Sequence, residues 1–280
     1  MNTPLTPGAA KKSLGQHFLF DPSILKRVAN AGGSVEGKTV IEVGPGPGGL
    51  TRALLDSGVA KLIAIELDDR FAEGLSLWPE ARATQDKEAR LHVHHGDAMR
   101  ANIPELITKV GGASPAMIVA NLPYNVGTPM LVEWLKAGQN TEKSWRGTMV
   151  LMFQKEVALR ICATADDDHY GRLAVLCQAV TRPRLAVMLP PGAFRPPPKV
   201  DSAVVVLEPL PTAEAFTDLS SLEKITASAF GQRRKMLRAA LKSLPGAVEA
   251  LEASGIDPTR RAETLTQAEF RVLTMAWRGA

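Results

Sequence analysis

Asn121-Leu122-Pro123-Tyr124 sets an amide, a proline and an aromatic ring directly after the apolar run Met117-Ile118-Val119-Ala120. A short apolar run of this kind reads as a buried parallel strand, and open α/β sheets bind ligands outside the carboxyl ends of their strands. The amide oxygen and the neighbouring backbone carbonyls are acceptors for a planar exocyclic amine, and the phenol ring is a surface on which its base can stack. An ordinary turn with a capping Asn is the competing reading.

Three further groups bear on that choice. Glu42-Val43-Gly44-Pro45-Gly46-Pro47-Gly48-Gly49 lies between a strand and a helix that begins near Leu50, so its glycines let the backbone approach a ligand at the helix amino terminus. Glu66 follows at the end of the next strand, where a carboxylate can accept from both hydroxyls of a ribose. Asp97, in Gly96-Asp97-Ala98-Met99, ends the third strand and can accept from an adenine amine beside small apolar side chains. Singly, Asp97 is also a good helix cap and Glu66 a plain surface charge. The glycines satisfy G-x-G-x-x-G in register, so they do not by themselves exclude a nicotinamide dinucleotide. Together the groups share one sheet edge, which favours an adenosine-containing cofactor.

The elements that carry these residues follow from periodicity. Thr39 to Val43, Lys61 to Ile65, Arg90 to His94, Met117 to Ala120 and Thr148 to Phe153 read as strands separated by amphipathic helices. That alternation predicts an α/β fold with a Rossmann-like, doubly wound and mainly parallel sheet. Arg184 to Leu189 and Val200 to Leu207 are joined by too few residues for a crossover helix, so they are expected as an antiparallel pair at one end of the sheet. Pro209 and Pro211 mark a linker. Beyond it Leu219 to Phe230, Arg233 to Leu241, Ala247 to Leu251 and Gln267 to Trp277 have helical period, giving domains over 1–210 and 211–280, the second small and all-α.

Composition sets the class. The chain has 280 residues, 45% of them hydrophobic, and a formal net charge of +4, ordinary for a globular protein that can meet an acidic partner. Basic residues gather at Lys11 and Lys12 and in the last third, from Arg233 to Arg261. Cys162 and Cys177 lack metal spacing and read as buried thiols of a reducing compartment. His92, His94 and His95 fall in a strand without acidic or cysteine partners at ligand spacing, so no metal is expected. No signal peptide or membrane-spanning run is visible, and the expected location is cytoplasmic.

These motifs together resemble the S-adenosylmethionine-dependent ribosomal RNA adenine dimethyltransferases. Ser13-Leu14-Gly15-Gln16-His17-Phe18-Leu19 is similar to the family's amino-terminal signature, Glu42 to Gly49 to its glycine loop, Asn121 to Tyr124 to its catalytic motif, and Phe194 to Ser202 to its proline-rich loop. Phe230 to Leu237 resembles the helical-domain signature of the ribosome-assembly branch. The likeness runs from about Lys11 to the carboxyl terminus, with one visible departure: many members have Asn where this chain has His17.

The resemblance implies that His17, Leu19, Gly44, Gly46, Glu66, Asp97 and Asn121 line an S-adenosylmethionine site. It implies catalysis by Asn121, Leu122, Pro123 and Tyr124; Phe194 reads equally as a platform on the far face of a flipped base and as core packing beside the proline run. Arg233, Arg234, Lys235 and Arg238, read as one basic helix, are expected to bind RNA. The implied reaction is N6,N6-dimethylation of two adjacent adenosines near the 3′ end of small-subunit (16S) ribosomal RNA, within a pre-30S particle, by a monomer. Two alternatives stay open: a large-subunit (23S) methyltransferase of the antibiotic-resistance type, and a noncatalytic assembly factor.

Overall fold

The computed structural model describes residues 16–84, 88–137 and 144–279; Lys11, Lys12 and Ser13 to Gly15 of the amino-terminal signature lie outside them. Strand β1 (Phe18–Leu19) and helix α1 (Pro22–Ala29) lead into β2 (Thr39–Val43), α2 (Gly49–Asp56), β3 (Lys61–Glu66) and α3 (Asp69–Ser76). The alternation continues through β4 (Leu91–His95), α4 (Ile103–Lys109), β5 (Ala116–Asn121), α5 (Gly127–Ala137) and β6 (Arg146–Gln154). Then come α6 (Lys155–Cys162), α7 (Arg172–Val180), β7 (Thr181–Leu189), β8 (Phe194–Arg195) and β9 (Ser202–Pro209). Helices α8 (Leu219–Gly231), α9 (Leu237–Ala240), α10 (Ala247–Ala253) and α11 (Gln267–Gly279) complete the order.

The seven-stranded sheet has the order β4-β3-β2-β5-β6-β9-β7. Strands β2 to β6 pair in parallel, with Val43 beside Ile65 on one flank and Ala120 on the other. β2 is buried throughout, as are β3 after Lys61 and β5 up to Asn121, which is why they read as unbroken apolar runs. β9 runs antiparallel to β6 and β7 pairs with β9 at the edge, so the two strands expected as a pair are neighbours at one end of the sheet. Polar side chains set the helix starts: Asp21 accepts from the amides of Ser23 and Ile24 ahead of Pro22, and Asp68 from that of Arg70.

One pairing had no sequence signal. β1 joins β8 antiparallel, Phe18 beside Arg195 and Leu19 beside Phe194, which ties the amino-terminal signature to the proline-rich loop. Two residues are too few to show any period.

The chain divides into two compact units: Met1–Leu131, Lys143–Ala158 and Arg184–Glu208 form one, and Val132–Glu142, Leu159–Pro183 and Pro209–Ala280 the other. In the second unit α8 packs with α7 and α11, burying Leu222, Ile225, Phe270 and Leu273. The basic helix expected from Arg233 is corrected here. α8 ends at Gly231, Gln232 to Lys235 form a turn and bend, and only Leu237–Ala240 is α-helical. The turn is fixed by long-range bonds that helical period cannot report: the Arg233 guanidinium donates to the carbonyls of Asp168 (2.8 Å) and Tyr170 (3.2 Å), and the Leu237 amide to that of Arg260 (2.7 Å).

Candidate active site

A cleft opens at the carboxyl ends of β2, β3, β4 and β5 in the first unit. Gly44 and Gly46 line it after β2, Glu66 and Leu67 at the end of β3, Gly96 to Ala98 after β4, and Asn121 to Val126 after β5. Gln16, His17 and Phe18 line it as well. The glycine loop needs its glycines: Gly46 has φ +53°, and a Cβ there would stand 2.5 Å from the Phe18 ring.

Glu66 is 5% exposed, and its two oxygens accept from the amides of Gly46 (2.9 Å) and Asp68 (2.8 Å). Burial pushes its carboxyl up, opposed by those amides. Each oxygen keeps a second lone pair for a ribose hydroxyl. Asp97 accepts from the Met99 amide at 2.9 Å, the cap-like bond expected of a strand-end Asp, while its other oxygen lies 3.9 Å from the Arg100 guanidinium.

Glu42 faces elsewhere. With Leu19 it lines a smaller cavity behind the glycine loop, and among the described residues no group stands in hydrogen-bonding geometry to either of its oxygens. Burial pushes this carboxyl up to about 8, against the pull of the nearby Thr51 hydroxyl, and the Glu66 charge adds to the rise. Leu19, expected in the cofactor site, borders this smaller cavity and not the main cleft.

The catalytic motif is tied down at both ends. The Asn121 side-chain nitrogen donates to the His17 carbonyl at 2.7 Å; only the nitrogen can donate, so the amide is oriented and its oxygen is the remaining arm. Pro123 lies two residues beyond β5, its carbonyl accepting from the amides of Val126 (3.1 Å) and Gly127 (3.0 Å) where α5 starts. The Tyr124 hydroxyl meets the Ser202 hydroxyl at 2.6 Å. Burial raises the phenol's pKa and the Ser202 bond opposes the rise, so the ring is neutral at physiological pH. Across it lies the His17 imidazole, centroids 5.6 Å apart and planes 24° apart. His17 Nδ1 is also 2.7 Å from the Pro196 carbonyl.

Phe194 is not brought into the cleft. It is 2% exposed and packs in the apolar core beneath the sheet edge, with no face open to a base in this arrangement. Residues that sequence reasoning passed over are Gln16, Leu67, Asn125, Val126 and Met130, which line the cleft, and Ser202, which holds Tyr124. Most adjoin a motif residue, and Leu67 at 53% and Val126 at 36% are exposed hydrophobics at its mouth. Of the basic residues in the second unit, Arg233 is engaged by carbonyls and by Glu263 at 3.6 Å, whereas Arg234, Lys235 and Arg238 are exposed and form no ion pair among the described residues. No group of three His, Cys, Asp or Glu stands ready for a metal among those residues, and none of their helices is long and apolar enough to cross a membrane.

Comparison with known proteins places this arrangement. A sequence profile described as Ribosomal RNA adenine dimethylase matches residues 8–276. Ribosomal RNA small subunit methyltransferase A of Sinorhizobium medicae is 52% identical over 262 residues, covering 93% of this chain and 90% of the relative. Its namesake in Maricaulis maris is 47% identical over 276 residues, covering 97% and 91%. Among solved structures, a dimethyladenosine transferase from Plasmodium falciparum superposes with a TM-score of 0.75 at 24% identity, covering 94% of this chain and 98% of the other. The 23S rRNA methyltransferase ErmE does so at 0.64 and 23%, covering 93% and 99%. Those two likenesses concern the fold; the profile and the close relatives go further, and the chain belongs to the ribosomal RNA adenine dimethylase family.

Proposed function

We propose that this enzyme transfers methyl groups from S-adenosylmethionine to N6 of two adjacent adenosines near the 3′ end of small-subunit ribosomal RNA, forming N6,N6-dimethyladenosine. The observation that carries the reading is the oriented Asn121 amide beside the Tyr124 ring, in the same cleft as Glu66 and Asp97.

The cleft suits that cofactor. Gly44, at φ +69°, leaves space in front of the Asn121 carbonyl, Glu66 offers lone pairs suited to ribose hydroxyls, and Asp97 with Leu67 and Ala98 forms a polar and apolar rim suited to adenine. Gly44, Gly46, Glu66, Asp97 and Asn121 would hold it, with His17 at the amino-terminal side; Leu19 acts from behind the loop. Bound there, S-adenosylmethionine supplies an electrophilic methyl group with a good leaving group.

The chain's own residues must then improve a poor nucleophile. The N6 lone pair of adenine is delocalised into the ring. Asn121 Oδ1 accepts one amine hydrogen, and the Leu122 carbonyl takes the second, because the Pro123 carbonyl is already occupied by two amides. Both acceptors draw the nitrogen towards tetrahedral geometry and stabilise the positive charge that grows on it during attack, which is the differential stabilisation catalysis requires; the cationic nitrogen then releases one proton to solvent. Tyr124 holds the flipped base by stacking and fixes its amine against the methyl donor. The second methylation proceeds with one fewer amine hydrogen, so one of the two hydrogen bonds is dispensable.

RNA choice lies with the second unit, where Arg234, Lys235 and Arg238 present exposed charge for phosphate contacts. Identity near 50% to relatives named for the small subunit supports that substrate over the large subunit. The intact site supports catalysis over a purely noncatalytic assembly role, and a monomer acting on a pre-30S particle completes the proposal. Mass analysis of small-subunit ribosomal RNA from cells with and without the protein tests it: dimethyladenosine is expected only with the protein, and its presence in both would refute the assignment.

A further inference from the structure

One face of the Tyr124 ring already meets an aromatic residue of the same chain, His17. The His17 and Tyr124 rings lie 5.6 Å apart at 24°, whereas a base between two rings needs about 7 Å, twice the rise of stacked bases. Phe194, at 2% exposure, offers no second platform. We propose that His17 is a placeholder for the acceptor adenine: its imidazole occupies the face of Tyr124 that the flipped base takes over. The inference rests on the reading of Tyr124 as the base platform.

The way His17 is anchored supports displacement of its side chain alone. The backbone is held, because its carbonyl receives the Asn121 amide and the next two residues pair with β8. One exposed hydrogen bond, from Nδ1 to the Pro196 carbonyl, restrains the ring. Rotation about the side chain therefore frees Tyr124 while the Asn121 amide keeps its orientation. A base exchanged for the imidazole brings a larger π surface to Tyr124, so the exchange favours the substrate. An Asn at this position has no ring to stack, so the placeholder depends on the imidazole of His17.

The test uses the full chain with S-adenosylhomocysteine and a short single-stranded RNA carrying one 2-aminopurine, whose fluorescence is quenched on stacking. Removing an occupant of the slot removes a conformational cost, so His17→Ala and His17→Asn should each lower the apparent Kd of quenching by about 3- to 10-fold, and His17→Phe should raise it. Matched melting temperatures confirm that the variants fold. Unchanged or weakened quenching in both His17→Ala and His17→Asn, or no quenching in any variant, overturns the placeholder. Tyr124→Ala separates the two ideas: quenching that persists without Tyr124 defeats the platform reading itself.

Discussion

The Asn121 side-chain amide and the His17 main-chain carbonyl, 104 residues apart in sequence, are joined at 2.7 Å. This bond decides which end of the amide is left for the substrate, so the amino-terminal strap and the catalytic motif act as one unit. Asn121→Ala removes both the acceptor and the bond, and methyl transfer should fall by at least about 10²–10³-fold. Asn121→Asp keeps an acceptor but loses the donor, and it should fall too. Transfer of labelled methyl to purified ribosomal particles measures the loss, with calorimetry of S-adenosylmethionine binding as the control. A folded Asn121→Ala variant with full activity would end the catalytic assignment.

Tyr124 has two separable contributions, its ring and its hydroxyl bond to Ser202 at 2.6 Å. Tyr124→Phe gives up only the bond, so it should cost about 0.5–1.5 kcal/mol of stability and keep most of the activity. Tyr124→Ala loses a base stack of about 1–3 kcal/mol, which lowers kcat/KM by roughly 5- to 150-fold. Equal activity of the two variants would show that the ring holds no base.

The Gly46 position makes a steric prediction. Ala there adds a Cβ 2.5 Å from the Phe18 ring at a left-handed φ of +53°, so Gly46→Ala should lose about 1–3 kcal/mol and weaken cofactor binding. Gly192→Ala is the matched control, since a Cβ there meets nothing within 4 Å. Chemical denaturation of both variants checks the contrast.

What the sequence made legible has a physical pattern. β2, β3 and β5 are buried on both faces, so their apolar runs stand out, and Glu66 and Asn121 at the ends of β3 and β5 fall on one edge, with Asp97 after β4, once the strands pair in parallel. Long-range contacts left no such trace. The β1–β8 pairing involves two residues on each side, and Tyr124 finds Ser202 from 78 positions away. Phe194 beside a proline run is equally consistent with a base platform and with core, and only packing shows its burial. The segment from Arg233 has helical composition, but bonds to Asp168 and Tyr170 hold its start as a turn. A cut near 210 likewise cannot express a unit that also takes in Leu159–Pro183.

Charge in that turn separates docking from folding. Arg234→Glu and Lys235→Glu remove exposed cations, so particle affinity should drop and the salt slope should shrink by about 1 per lost phosphate contact, with melting unchanged. Arg233→Glu also breaks bonds to two carbonyls, and it should lower the melting temperature as well. Filter binding across a salt series checks this; unchanged affinity in Arg234→Glu/Lys235→Glu would assign those residues to plain surface.

Glu42 gives a pH prediction with a definite sign. Its carboxyl is raised by burial from 4.5 to about 8, so between those values the folded state holds a proton that the unfolded state has released. The associated stability is full below the unfolded value and declines as pH rises towards the folded one, with a limiting slope of about 1.4 kcal/mol per unit. Glu42→Gln carries a similar shape and no titration, so this decline should vanish and the variant should gain on the native chain from pH 5.5 to 8. Urea unfolding across that range, read as the difference between the two proteins, isolates Glu42 from every other titrating group. Parallel curves would mean that the buried carboxyl finds a compensating partner, such as an ordered water in the cavity it shares with Leu19 and Met152.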